Sequence, residues 1–160
     1  MNKYLEVLFN QLYHTIFFKQ IGRPNKLEIA HYFKIWYFVL ETGIHWRRVK
    51  GPLSWSTYYK KFTALADIGF FKLLHTCALK IAQKDTTLSK DHLKTLFVDA
   101  TQIKNINGVV FLGKNRVDRN RKGNKLTLII AQNGMPLAIS LTTANQSDLR
   151  QLVPTINQIQ

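Results

Sequence analysis

The sequence predicts an α+β protein, with a helical part over residues 1–90 and a set of antiparallel strands closed by a helix over residues 91–160. Three observations predict it. Apolar residues recur at helical spacing from Leu5 to Ile81. Beyond residue 92 that spacing gives way to short aliphatic runs such as Leu96-Phe97-Val98 and Leu126-Thr127-Leu128-Ile129-Ile130. Two of these runs are joined by Asn133-Gly134, the dipeptide that best fits a tight hairpin turn.

The first helix is expected over Lys3 to Phe18, where Leu5, Leu8, Phe9, Leu12 and Ile16 share one face, as in a helix that docks on a neighbour. Gly22, Pro24 and Asn25 break the chain, and Asn25 can cap a second helix over Lys26 to Thr42. Gly43 supplies the left-handed residue beyond its end. Ile29, Ala30, Phe33, Trp36, Tyr37 and Leu40 cover more than one face, which suits the central helix of a small bundle. After a turn at Gly51-Pro52, Ser54, Ser56 and Thr57 offer capping oxygens for a third helix. It places Tyr58, Phe62 and Leu65 inside and Thr57, Lys60, Lys61 and Ala64 outside, and it ends at Gly69. A fourth helix, Phe70 to Gln83, carries Phe71, Leu74, Ala78 and Ile81 inward, with Cys77 as a small apolar filler.

Residues 84–91 are polar and aperiodic and read as a linker. Strands follow over Leu93 to Thr101, Lys125 to Gln132 and Leu137 to Thr143. Ser147 or Asp148 then caps a last helix with Leu149, Leu152, Val153 and Ile156 inward. The first strand reads as buried and places Asp99 near its end, either as a ligand-binding carboxylate or as a cap bonded to backbone amides. Between the first two strands a loop gathers Lys104, Lys114, Arg116, Arg119, Arg121, Lys122 and Lys125 against the single acid Asp118. Crowded cations are relieved by a phosphate backbone spread among them, or the loop is simply a solvated hairpin tip.

The 160 residues are 46% hydrophobic, enough for a core, and carry a formal charge of +14. Such an excess favours a polyanionic partner. The most apolar stretch, Tyr32 to Leu40, contains Lys34 and is far shorter than the roughly 20 residues of a membrane span. No signal-peptide pattern is present, and the single Cys77 excludes an internal disulfide framework and a cysteine-based zinc site. These features fit a cytoplasmic, nucleoid-associated protein with no membrane partner. A short basic helix behind a turn and a longer helix is the arrangement of a helix-turn-helix module, with Arg47, Arg48, Thr57, Lys60 and Lys61 as its DNA-facing residues, while a plain bundle with a solvated lysine face has the same pattern. In the loop, Arg116, Arg119, Arg121, Lys122 and Lys125 are the corresponding candidates.

Gly22-Arg23-Pro24, the stretch Phe38 to Arg47 with its Thr42-Gly43 pair before Trp46, and Trp55-Ser56-Thr57-Tyr58 with Phe62 together resemble the N-terminal domain of bacterial insertion-sequence transposases. Phe97 to Lys104 is similar to the first catalytic strand of that group, and Asn133 to Leu137 and Thr143 to Asp148 resemble the segments that follow it. The family implied is the DDE transposases of the insertion sequence five type. The resemblance implies an RNase-H-like catalytic domain, here an incomplete meander plus helix, and a double-stranded DNA partner at transposon ends. It also implies Mg²⁺ or Mn²⁺ held by Asp, Asp and Glu, with Asp99 as the first catalytic metal ligand. Two ions about 4 Å apart stabilise the attacking and leaving oxygens at phosphorus, and several carboxylates must fix them.

The resemblance places the second Asp and the Glu beyond the positions present in these residues, and Asp148 matches a helix-capping position instead. The chain therefore reads as a truncated copy or frameshift product. It is expected to be inactive alone and to work with itself or with a downstream transposase half. The alternative is a non-catalytic DNA-binding regulator or inhibitor derived from a transposase.

Overall fold

The structure is a computed structural model that describes residues 3–17, 27–85, 87–105, 110, 112–115, 119 and 121–159. The chain divides into two compact units, residues 1–81 and 82–160.

The first unit is built from α1 (Lys3–Ile16), α2 (Ile29–Thr42), a 3₁₀ turn at Trp46–Arg48, α3 (Trp55–Asp67) and most of α4 (Phe70–Lys84). The predicted cap Asn25 lies outside the described residues, and α2 starts behind Glu28, whose side chain makes no capping bond. Gly43 ends α2 with φ +65°, its amide donating to the Val39 carbonyl at 2.9 Å, as a left-handed C-terminal residue does. The core is aromatic. Trp36, 1% exposed, donates its indole N–H to the Tyr58 carbonyl at 3.0 Å and so ties α2 to α3. Phe9 stacks on Phe33 at 4.5 Å and meets Phe70 edge-on at 5.3 Å, joining α1, α2 and α4. Such rings bury large areas, and truncating one to alanine typically costs about 3–5 kcal/mol.

The predicted inner faces hold with local shifts. Tyr58 and Leu65 of α3 are buried and Phe62 packs against the same core. In α4 the deepest residues are Phe70 and Leu74, whereas Ile81 is exposed. Ile81 lies on the same helical face but beyond the last core residues that α1–α3 supply. Ile16 is exposed at the end of α1 as well. Among the described residues no single helix is long and apolar enough to cross a membrane.

The second unit is an antiparallel sheet with one helix. Its elements are β1 (Leu96–Lys104), β2 (Gly113–Asn115), β3 (Arg121–Ala131), β4 (Pro136–Thr143) and α5 (Asp148–Ile156). The central strand β3 pairs with β1 from Leu96↔Ala131 to Lys104↔Gly123 and with β4 from Asn124↔Thr143 to Ile130↔Pro136, so the expected meander is present. The hairpin closes at Asn133-Gly134, where Asn133 Oδ1 accepts from the Met135 amide at 3.2 Å. β2, inside the stretch expected to be a loop, continues past the end of β4 and pairs Gly113↔Gly123, Lys114↔Lys122 and Asn115↔Arg121. Gly113 is required there by close approach, since a Cβ would meet Asn145 Oδ1 and stand 2.9 Å from the Ala144 nitrogen.

Two expectations are corrected in this unit. β1 is an exposed edge strand rather than a buried one: among the described strands it pairs with β3 alone, and Phe97 and Val98 are about half exposed. α5 is capped by Ser147, whose Oγ accepts from the Arg150 amide at 3.4 Å, but it is rotated away from the predicted face. Leu149 is 81% and Val153 62% exposed, and Ile156 is exposed too, while Thr155 at 0% and Gln151 at 7% are buried. Polar bonds fix this rotation. Thr155 Oγ1 lies 2.7 Å from Ser140 Oγ on β4, and the Lys125 ammonium on β3 donates to Asp148 Oδ1 at 2.7 Å and to the Gln146 carbonyl at 2.6 Å.

Side-chain alternation gives the sheet two unlike faces. Thr127, Ile129 and Ala131 of β3 are buried, and α5 packs on β3 and β4. The other face carries Phe97, Asp99, Thr101 and Ile103 of β1, Leu126, Leu128 and Ile130 of β3, and Ile139 and Leu141 of β4, by register. Of these, Phe97, Ile103, Ile139 and Leu141 are exposed, so this face is uncovered among the described residues.

Candidate nucleic-acid interface

In the helical unit Trp46 organises the basic surface. Its ring meets Tyr59 at 5.4 Å and Phe62 at 5.3 Å, which pins the 3₁₀ turn against α3 and holds Arg47 and Arg48 beside the first turn of that helix. Both arginines are exposed, and the Arg47 guanidinium lies 5.9 Å from the centre of the Trp55 ring. That arrangement restrains a long side chain while leaving its donors outward. Ser54 Oγ bridges Ser56 Oγ at 3.0 Å and Thr57 Oγ1 at 2.9 Å, and Thr57 and Lys60 are exposed next to them. Arg47, Arg48, Thr57 and Lys60 thus occupy one neighbourhood. In the sequence Trp46 and Trp55 stand out only as motif residues. The signal that they position cations is the adjacency of each to basic or hydroxyl residues.

Lys61 differs from its neighbours. It is half-buried with its ammonium 4.9 Å from the Tyr32 ring centre and 5.5 Å from that of Tyr13. Burial, and then the neighbouring hydroxyls of Tyr58 and Tyr13, push the Tyr32 hydroxyl above the ordinary tyrosine value. Tyr32 therefore stays neutral through the physiological range, and its ring serves Lys61 as a π face. Lys61 is directed at the core aromatics, in place of the outward position its spacing suggests.

In the sheet unit Asp99 is exposed in the middle of β1, and its Oδ1 accepts from the Ala100 amide at 2.8 Å. β1 continues five residues further to Lys104, so the carboxylate stands about 17 Å from the start of the basic segment and not at its mouth. Among the described residues no group of three His, Cys, Asp or Glu side chains converges. One exposed carboxylate with an oxygen already bonded to backbone does not fit the cage that Mg²⁺ or Mn²⁺ requires, and no catalytic step is assigned to it.

The described residues of the basic segment include β2. Arg119, with φ +51°, Arg121 and Lys122 are exposed, and Arg116 lies outside the described residues. Lys125 departs from the expectation of a phosphate contact, since it is buried and its ammonium is bonded inside the protein to Asp148 and Gln146. Side-chain alternation along β3 turns it toward α5, whereas Lys122 is on the opposite face.

No family model matches the chain, and no solved structure does either. Over 47 residues the chain is 47% identical to a protein of Burkholderia cepacia named "Putative transposase for insertion sequence element IS402", a stretch that covers 29% of this chain and 22% of that relative. The similarity therefore spans about a fifth of the relative's length, and over that stretch the chain is similar to a transposase.

Proposed function

We propose that this chain is a transposase-related protein that binds double-stranded DNA at the ends of a mobile element. The observation that carries the reading is the 47-residue similarity to a relative named as a transposase. The grouping of Arg47, Arg48, Thr57 and Lys60 on the surface around α3 supports it, as does the net charge of +14. In this reading α2, the intervening turn and α3 act as a helix-turn-helix module, and β1, β3, β4 and α5 are the opening meander and helix of an RNase-H-like fold of the DDE class. Fluorescence anisotropy with a duplex carrying the element's ends tests it. Affinity is expected to fall steeply with salt, and replacing Arg47, Arg48 and Lys60 by Gln is expected to lower the log–log slope by about 0.9 for each phosphate that is no longer neutralised. A chain that shows no salt-dependent binding of duplex DNA overturns the proposal.

A second reading, a DNA-binding regulator that occupies ends without cutting them, is supported by the setting of Asp99, since no group of three His, Cys, Asp or Glu side chains converges among the described residues. Under either reading, residues 1–160 are expected not to nick end-bearing DNA with Mg²⁺ or Mn²⁺, and Asp99→Ala is expected to leave DNA binding unchanged. Metal-dependent nicking that disappears in Asp99→Ala would exclude the regulator.

A further inference from the structure

We infer that Lys114 and Lys122 form a phosphate clamp on the sheet face that carries Asp99, gripping a DNA backbone about six nucleotides from that carboxylate. The inference rests on the DNA-binding reading above and adds a site and a spacing to it. Lys114 and Lys122 are directly opposite in the β2–β3 register, and both are exposed. Opposed residues on antiparallel strands hold their Cβ atoms roughly 5 Å apart on one face, and like charges so placed destabilise the pairing.

The lysines do not hold β2 there. Gly113 is wedged under the turn at Ala144 and Asn145, and Asn115 is buried on the far side, so packing imposes the juxtaposition. Among the described residues no acid pairs with either ammonium. Two exposed lysines whose stems start about 5 Å apart on one face can bring both ammonium groups to one bridging anion, such as a phosphodiester.

The position follows from strand parity. Asp99 is opposite Leu128, and the register runs without a break from there to Gly123. Lys122 is six residues from Leu128 and therefore on the same side of the strand. Every second residue of β3 then reads Ile130, Leu128, Leu126, Asn124, Lys122, a passage from apolar to polar to cationic that ends at the lysine pair. Six residues of strand span about 20 Å. One DNA strand places a phosphate every 3.4 Å or so along the helix axis, hence about six phosphates in that distance.

The test uses the full chain and a duplex of about 20 base pairs carrying the element's ends, with anisotropy measured across a salt series. Lys114→Gln with Lys122→Gln is expected to reduce the log–log salt slope by about 1.8, and Lys→Arg at both positions to preserve it. The Gln pair is expected to melt no lower than the parent at low salt, because it removes a repulsion. A steep slope in the parent that the Gln pair leaves intact makes these lysines ordinary solvated side chains, and overturns the clamp while DNA binding stands. A parent with no salt-dependent binding overturns both.

The spacing has its own readout. An iron chelate tethered at Asp99→Cys, in a Cys77→Ser background, is expected to cut DNA about six nucleotides from the phosphates whose ethylation weakens the parent but not the Gln pair. Cutting centred on those same phosphates would overturn the placement.

Discussion

Lys125 and Asp148 are unequal partners in one ion pair, the lysine side chain 11% exposed and the aspartate 67%. Removing the aspartate leaves a buried ammonium with only the Gln146 carbonyl, whereas removing the lysine leaves a carboxylate in water. Asp148→Ala is therefore expected to destabilise the protein by about 1–3 kcal/mol, and Lys125→Met by less, as read by denaturant unfolding. Lys125→Met is also expected to leave the salt dependence of DNA binding unchanged. Tyr32 gives a pH dependence with a definite sign. Its folded pKa is raised, so its contribution to stability is present below the ordinary tyrosine value near 10 and is lost as pH rises toward the folded one. Melting curves between pH 9 and 11 are expected to fall less steeply for Tyr32→Phe, which keeps the ring under Lys61.

At the scale of elements, α5 teaches most about what a sequence discloses. Its apolar periodicity predicts the helix, and Ser147 predicts its start, yet the buried face is the polar one. Periodicity says which residues share a face, and only the tertiary partners say which face turns inward. Here those partners are Ser140 and Lys125, which lie 15 and 23 residues from Thr155 and Asp148, the residues they bond. The four helices of the first unit are legible because one aromatic core takes up their apolar faces, and the hairpin is legible because Asn133-Gly134 is a local signal. β2 is not, since three residues carry no period and their pairing depends on the non-local fit of Gly113 under Ala144 and Asn145. For the candidate site, charge and motif point to Arg47, Arg48 and Lys60, and all three are exposed. Lys61 and Lys125 need the fold, because charge alone does not reveal that an ammonium already has partners. Leu149→Gln with Val153→Gln is expected to change the unfolding free energy by no more than about 0.5 kcal/mol, whereas Thr155→Ala is expected to cost about 1–2 kcal/mol by leaving Ser140 without its partner. Thermal melts of the two variants separate these cases.

For the whole molecule, the uncovered sheet face with Phe97, Ile103, Ile139 and Leu141 has a colloidal consequence. A charge of +14 on every copy keeps such faces apart in dilute buffer, as long as the screening length exceeds the gap between approaching surfaces. That length shrinks from about 30 Å at 0.01 M to about 3 Å at 1 M salt. The ionic strength expected to release the proposed DNA partner is thus the one that lets apolar faces meet. Light scattering is expected to give a second virial coefficient that turns from positive to negative across that range, and Ile139→Lys is expected to postpone the change of sign. Under the proposed DNA binding, release of the duplex and loss of solubility are expected to be one titration observed from two sides.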